Sequence, residues 1–264
     1  MRAAVLGRPV SHSLSPLMHR AAYAALGLSD WTYDALDVGA EDLPDLLAGL
    51  GPEWRGFSVT MPCKQAAVRV ADEVEPLPRL LGAANTLVRT GAGGWRAENT
   101  DVTGVGMALQ LGGVEQVEHA AILGAGGTAA AAAAALASLG ARQIDVHVRE
   151  PDRAADLLRV LDVLDVPATV HRLEAAGAVD APVVVSTVPV GGQPAVAALD
   201  WRSGQTVLDV LYAGWPTPLA QRVQAAGGTA ISGLDMLFWQ ATLQVELITG
   251  YPAPIAAMRA ALDG

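Results

Sequence analysis

The chain of 264 residues contains a single cysteine, Cys63. One thiol cannot form an intrachain disulfide, so a reducing, cytoplasmic setting is expected. Charge is scarce too. Only 17% of residues are Asp, Glu, Lys or Arg, and 17 bases face 27 acids. A net charge of −10 leaves no basic surplus for binding nucleic acid. It does not exclude a small anion, which a few local cations and backbone N–H groups can hold. Long apolar runs are also missing. The longest featureless stretch, Ala129 to Ala137, is too short and too alanine-rich to span a bilayer. Met1 to Pro9 reads as a short apolar strand broken by Gly7 and Pro9, without the continuous apolar run of a secretory signal. The five histidines show no ligand spacing, and no metal is expected.

Hydrophobic residues make up 52% of the chain, enough to bury a large core and to argue against disorder. The length suggests two domains. Apolar runs of strand length alternate with helix-length segments, the pattern of an α/β protein with largely parallel sheets. Strands are expected at 3–6, 32–37 and 56–60, with helices at 16–26, 41–50 and 64–71. Ser15 before Pro16 reads as a helix N-cap, and Gly27 as the glycine that ends that helix. A hairpin is expected over 86–89 and 95–97, turned by Gly91-Ala92-Gly93-Gly94. A helix over 102–111 then opens a second unit. Strands at 120–123, 143–149, 182–186, 206–209 and 229–231 alternate there with helices at 126–139, 152–161 and 218–226, which is a doubly wound pattern. Two helices, 235–250 and 254–262, finish the chain. The apolar spacing of Leu234, Leu237, Phe238, Ala241, Val245 and Ile248 suits one packed face.

The segment Ala120 to Ala129 reads as strand, glycine-rich turn and helix start. Gly124 permits the tight turn, and Gly126 lets the backbone approach a pyrophosphate. The N–H groups of Gly127 and Thr128 then open a helix whose dipole favours an anion. Gly127 comes early for the common dinucleotide motif, and Ala125 and Ala129 complete the run. A purely structural strand-to-helix turn is the alternative. The next strand ends in Arg149-Glu150, where adenosine ribose is read in such folds. Arg149, with Arg153 nearby, suits the 2′-phosphate of NADP. Glu150 suits the free 2′-hydroxyl of NAD. A solvated loop would account for all three.

Three polar clusters precede residue 102. Ser13 and Ser15 follow the first strand and could receive a polyol or a carboxylate. In Thr60-Met61-Pro62-Cys63-Lys64 a lysine opens a helix, where the dipole disfavours a cation. That placement suits an acid–base lysine, although most lysines simply reach solvent. The third cluster is Asn85-Thr86 with Asn99-Thr100-Asp101, and Asp101 alone would pass for a helix N-cap.

In their order and spacing these segments resemble the shikimate dehydrogenase family. The resemblance is carried by Gly7 to Pro16, Val59 to Lys64, Gly82 to Thr86, Asn99 to Asp101, Gly124 to Gly127 and Gly233 to Gln240. It implies an N-terminal α/β substrate domain, formed by 1–102 plus 237–264, and a Rossmann-type doubly wound parallel-sheet nucleotide domain over 103–236. The C-terminal helices are expected to pack back on the first domain. It implies that Lys64 and Asp101 are the catalytic pair and that Ser13 and Ser15 hold the substrate carboxylate. Thr60, Asn85 and Gln240 are implied to contact ring hydroxyls, with Tyr212 beside the carboxylate and Gly233 near the cofactor. Interconversion of 3-dehydroshikimate and shikimate with NADP follows, by a monomer or homodimer.

Three departures stand out. Ser58 and Val102 replace the family's usual Asn and Gly, and Val148-Arg149-Glu150 replaces its usual Asn-Arg-Thr or Asn-Arg-Ser. The retained Arg149 favours NADP, while Glu150 keeps NAD open. An NAD-dependent quinate/shikimate dehydrogenase, an aminoshikimate paralogue and a non-catalytic nucleotide sensor are the alternatives.

Overall fold

A computed structural model describes residues 1–173 and 177–263. The chain divides into two compact units, Met1–Thr100 with Gln240–Gly264, and Asp101–Trp239. Both are α/β, and each is built on its own six-stranded sheet.

The first unit contains β1 (Arg2–Gly7), α1 (Ser15–Ala25), β2 (Thr32–Asp37), α2 (Leu43–Ala48), β3 (Trp54–Val59), α3 (Lys64–Val70), β4 (Glu73–Val74), α4 (Pro76–Leu81), β5 (Thr86–Arg89) and β6 (Trp95–Glu98). Its strand order is β2-β1-β3-β5-β6-β4. β1 runs parallel to β2 and β3, whereas β5 is antiparallel to both β3 and β6. Leu6, Phe57, Leu87 and Ala97 are fully buried on the core side, where Phe57 packs between Trp54 and Trp95 at 5.1 and 5.2 Å. Aromatic pairs at such distances add modestly to the area they bury.

The second unit contains α5 (Asp101–Leu111), β7 (His119–Leu123), α6 (Gly127–Ser138), β8 (Gln143–Val148), α7 (Ala155–Val163), β9 (Ala168–Arg172), β10 (Val183–Ser186), α8 (Gln193–Ala197), β11 (Thr206–Asp209), α9 (Pro218–Ala225) and β12 (Thr229–Ser232). All its strands are parallel, in the order β12-β11-β10-β7-β8-β9. The chain therefore leaves β7 toward one edge and returns at β10 toward the other. That reversal between β7 and β10 is where open α/β sheets bind ligands. The strands read as unbroken apolar runs, such as Val183-Val184-Val185, because helices cover both faces. Ala129 to Leu136 of α6 are all buried. Alanine carries the highest helix propensity, and its small side chain lets α5 lie close against α6.

Two helices end the chain, α10 (Gly233–Thr249) and α11 (Ile255–Asp263). In the first unit α11 lies against α1.

Several local expectations are corrected. Ser15 is the first helical residue, not the cap. Leu14 holds the cap position, and the Ser13 hydroxyl accepts from the Ser15 N–H at 3.2 Å. The helix expected over 41–50 is only Leu43–Ala48. The helix expected from Asp152 begins as a 3-10 turn at Pro151–Ala154 before α7. The edge strands β4 and β9 and the short helices α4 and α8 were not anticipated. Pro76 and Pro78 punctuate α4 as a loop would, but Pro76 sits in the first turn, where its missing N–H costs nothing.

Candidate active site

In the first unit, strand direction gathers the polar clusters. β1 and β3 are parallel and end at one sheet edge, so Ser13 and Ser15 after β1 and Thr60 and Lys64 after β3 emerge together. β5 runs the other way, so its start returns to that edge. Ser58 pairs with Thr86, and the Val59 N–H donates to the Asn85 carbonyl at 2.7 Å. β6 reverses again and delivers Asn99 and Thr100 there. Thr86 pairs with Glu98, just before them.

Hydrogen bonds then lock the cluster. Asn85 Nδ2 donates to Thr100 Oγ1 at 2.8 Å and to Gln240 Oε1 at 3.1 Å. Asn85 Oδ1 accepts from the Thr100 N–H at 2.8 Å and from Thr86 Oγ1 at 3.0 Å. Asn85, Thr86, Thr100 and Gln240 are all buried. Buried amides hold one orientation only when such partners are satisfied. The Lys64 carbonyl accepts from the Ala84 N–H at 2.9 Å, so the first residue of α3 is tied to the segment carrying Asn85. Lys64 is half-buried and is the only lysine in the chain. Gly7 closes β1 beside Thr60, where a Cβ would stand 2.3 Å from Thr60 Cγ2.

Ser15 is buried and Ser13 half-buried. Behind them, the Tyr33 hydroxyl is flanked by Ser15 and by Ser58, to which it donates at 2.5 Å. His19 stacks on Tyr33 with ring centroids 4.0 Å apart. Its complete burial lowers the imidazole pKa to about 3, so it stays neutral.

In the second unit the turn after β7 crosses the strand-order reversal. Gly124 has φ +102, a region open to glycine, and a Cβ there would stand 2.5 Å from Thr187 Oγ1. Thr187, just past β10, donates through its N–H and its hydroxyl to the Leu123 carbonyl at 2.8 and 3.0 Å. Gly126 is different. Its backbone is extended, at φ −87 and ψ −173, and among the described residues a Cβ there would meet no atom within 4 Å beyond its chain neighbours. No described side chain crowds Gly126, and its bare backbone fits close approach by a ligand. Ala125, Gly127 and Thr128 are half-buried around it, and α6 begins at Gly127. Arg149, Glu150 and Arg153 are exposed beyond β8, and neither arginine has an ion pair among the described residues. These features fit a phosphorylated dinucleotide, with the glycine turn against its pyrophosphate and the arginines placed for an additional phosphate.

The loop after β11 is clamped by Asp209. Its carboxylate accepts from Thr217 Oγ1 at 2.7 Å, Gln193 Nε2 at 3.1 Å and the Leu211 N–H at 3.3 Å. Burial raises its pKa, against the opposing pull of those donors. The clamp fixes the loop that carries Tyr212, which is half-buried. Gly233 passes so close to that loop that a Cβ would stand 2.1 Å from the Val210 carbonyl oxygen.

The structure therefore brings Ser13, Ser15, Thr60, Lys64, Asn85 and Gln240 into the first unit. Asp101, Tyr212, Gly233 and the glycine turn belong to the second. Asp101 is the first residue of α5, is buried, and follows Thr100 directly. Sequence reading missed Tyr33, Asp209 and Gln244. Only Asp209 carried a signal, as a lone carboxylate ending an apolar strand at the ligand-binding edge of the sheet. Among the described residues, no group of three His, Cys, Asp or Glu side chains could hold a metal ion, and no helix is long and apolar enough to cross a membrane.

Comparison with known proteins bears on both units. Residues 5–87 match the shikimate dehydrogenase substrate binding domain, and residues 233–262 match the shikimate 5'-dehydrogenase C-terminal domain. The shikimate dehydrogenase (NADP(+)) of Moorella thermoacetica is 40% identical over 267 residues, covering 97% of this chain and 90% of the relative. The crystal structure of Mycobacterium tuberculosis shikimate dehydrogenase superposes with a TM-score of 0.87 at 47% identity, covering 99% of this chain and 98% of that one. The quinate dehydrogenase of Corynebacterium glutamicum, solved in complex with NAD, reaches the same TM-score at 28% identity, with the same coverage of both chains. A sheet edge crowded with buried amides and hydroxyls, a strand order that reverses at a glycine turn, and 40% identity along nearly the whole length agree: this chain belongs to the shikimate dehydrogenase family.

Proposed function

We propose that the chain is an NADP-dependent shikimate dehydrogenase, reversibly reducing 3-dehydroshikimate to shikimate on the route to aromatic amino acids. The observation that carries this reading is the locked cluster of Asn85, Thr100 and Gln240 on the sheet edge that also bears Thr60 and Lys64. Buried amides and hydroxyls of that kind match a small polyol acid better than an apolar or polymeric ligand. The relatives named for NADP and shikimate support the choice of cofactor and substrate.

In this reading the first unit holds the ring acid. Ser13 and Ser15 take its carboxylate, and Thr60, Asn85 and Gln240 take its hydroxyls. The second unit holds the dinucleotide through Gly124 to Thr128, with Arg149 and Arg153 on the 2′-phosphate and Tyr212 and Gly233 toward the substrate end. The dinucleotide, when bound, would supply the hydride to C3 of the ring as NADPH in reduction and accept it as NADP⁺ in oxidation. Lys64 gives the forming alkoxide oxygen its proton in reduction and takes it back in oxidation. Asp101 keeps the ammonium and a ring hydroxyl in line. General acid–base help of this kind is worth about 10²–10⁴-fold in rate. We further read the protein as cytoplasmic and as a monomer or homodimer.

One observation favours a second reading. Glu150 is exposed two residues past β8, where a carboxylate suits an unphosphorylated ribose, and a quinate dehydrogenase bound to NAD shares the fold. Spectrophotometric oxidation of shikimate and quinate, each with NADP and NAD side by side, separates the two. Shikimate with NADP is expected to give the highest kcat/KM. A higher value for quinate with NAD would replace the first reading with the second.

A further inference from the structure

We propose that Gln244, held through Ser58 by Tyr33, is the positioning residue that seats Asn85 and through it sets the face that Gln240 presents to the ring acid. The inference deepens the proposed function and rests on it.

Two backbone groups fix the whole arrangement, because they cannot be reversed as an amide side chain can. The Asn85 carbonyl is an acceptor, so the end of Gln244 that meets it at 2.9 Å is Nε2. That NH₂ also donates to Thr86 Oγ1 at 3.0 Å. Gln244 Oε1 therefore faces Ser58, whose hydroxyl donates to it at 2.6 Å. Ser58 has a single proton and has spent it, so the Tyr33 hydroxyl donates to Ser58. Burial raises the pKa of Tyr33, which keeps that proton in place. On the other side, Thr86 accepts from Gln244 and so turns its own proton to Asn85 Oδ1. The second backbone group, the Thr100 N–H, donates to the same oxygen. Asn85 Nδ2 must then point to Gln240 Oε1, which directs the Gln240 NH₂ the other way, as a donor. Every proton from Tyr33 to Gln240 has one direction.

The relay also accounts for Ser58. Its proton goes to Gln244 rather than across to β5. Ser58 lies directly opposite Thr86 in the antiparallel pair, and Gln244, fully buried on α10, fills the distance. His19 stacks on Tyr33, and its imidazole lies beside Gln244 as well.

The test is steady-state kinetics of the intact enzyme with shikimate and NADP, alongside thermal melting. Gln244→Met keeps the volume and removes every hydrogen bond. It is expected to raise the KM for shikimate about tenfold, the scale of one or two lost hydrogen bonds, while kcat and the KM for NADP change less than twofold. A purely structural role would lower the melting temperature while KM for both substrates stayed unmoved or rose together; either KM result overturns the proposal, whatever the melting temperature does. If Gln244→Met does not fold, Ser58→Ala is read in the same way. The double change Ser58→Asn with Gln244→Ala moves the amide from α10 to β3, within reach of Thr86. It is expected to restore the KM for shikimate to within about threefold of the wild type, and failure to restore it would also count against the relay. Wild-type enzyme that does not oxidise shikimate would sink the proposed function, and the inference with it. Active wild type with an unmoved Gln244→Met would sink the inference alone.

Discussion

The two units recognise their ligands by opposite means. The first buries polar side chains at its ligand edge: Ser15, Ser58, Asn85, Thr86, Thr100, Gln240 and Gln244 are each under a tenth exposed. The second lines the reversal of its strand order with backbone, at Gly124, Gly126 and the start of α6. A ring acid offers hydroxyls in a fixed stereochemical pattern, and only side chains of set length can meet them. A pyrophosphate offers charge without fine pattern, and a glycine turn with a helix dipole suffices. The units should therefore fail differently when altered.

The largest difference should come from Lys64. Lys64→Ala is expected to lower kcat by about 10²–10⁴-fold, the usual range for losing a general acid–base group. NADP affinity and melting temperature should hardly move. Because no other lysine exists, amine-directed labelling reports on this side chain and the N-terminus alone. Near-normal turnover by the variant would remove Lys64 from the mechanism.

The second unit offers a contrast between two glycines two residues apart. Gly124→Val forces a β-branched residue into positive φ and against Thr187. Strain of this kind costs at least about 1–2 kcal/mol, and the melting temperature should fall by several degrees. Gly126→Val meets neither obstacle, since its backbone is extended and its Cβ enters open space. Its melting temperature should stay within about 2 °C of the wild type, while the KM for NADP rises tenfold or more. If Gly126→Val binds NADP normally, the glycine turn is structural only, and the backbone half of the comparison breaks.

Much of this was legible in the sequence because it repeats with a period or is punctuated by glycine. The strand Ala120 to Leu123, the turn and α6 follow directly from spacing, as do β10 and β11. What escaped lies where pattern is silent. β9 reads Ala-Thr-Val-His-Arg at a sheet edge, too polar and short to stand out beside buried runs like Val183-Val184-Val185. Gln244 escaped because α10 was read from its apolar positions. Phe238, Ala241, Val245 and Ile248 are indeed buried, but so are Gln240, Thr242 and Gln244 between them. A buried glutamine looks like a solvent-facing one until its partners, Ser58 and Asn85, are brought beside it from far along the chain. The misassigned cap at Ser15 has a similar origin. Serine before proline fits a cap locally, but burial beside Tyr33 makes Ser15 part of the site edge, and Ser13 accepts its N–H instead.

Acid should expose a third difference. His19 in the first unit and His147 in the second are both buried, and burial lowers their pKa values to about 3 and about 4. In each case the folded value lies below the unfolded 6.5, so the unfolded chain binds more protons. Stability is therefore full above about pH 6.5 and is lost as the pH falls toward the folded values. At pH 4.5 the loss from His19 amounts to roughly 2–3 kcal/mol. His19→Phe preserves the stack on Tyr33 and should flatten the fall in melting temperature between pH 7 and pH 4.5. An unchanged acid profile in that variant would move the sensitivity to His147 and the second unit.

The smallest effect concerns the cofactor. Glu150 is exposed, close in sequence to Arg149 and Arg153, and solvent screens its charge. Removing a screened carboxylate should change phosphate affinity by a few-fold rather than by orders of magnitude. Glu150→Thr is expected to raise the NADP/NAD ratio of kcat/KM about three- to tenfold, through KM alone. The gain should shrink at high salt, because the repulsion it relieves is electrostatic and lies in water. A ratio that stays constant at both low and high salt would mean that Glu150 faces away from the ribose, and that the arginines alone discriminate the two dinucleotides.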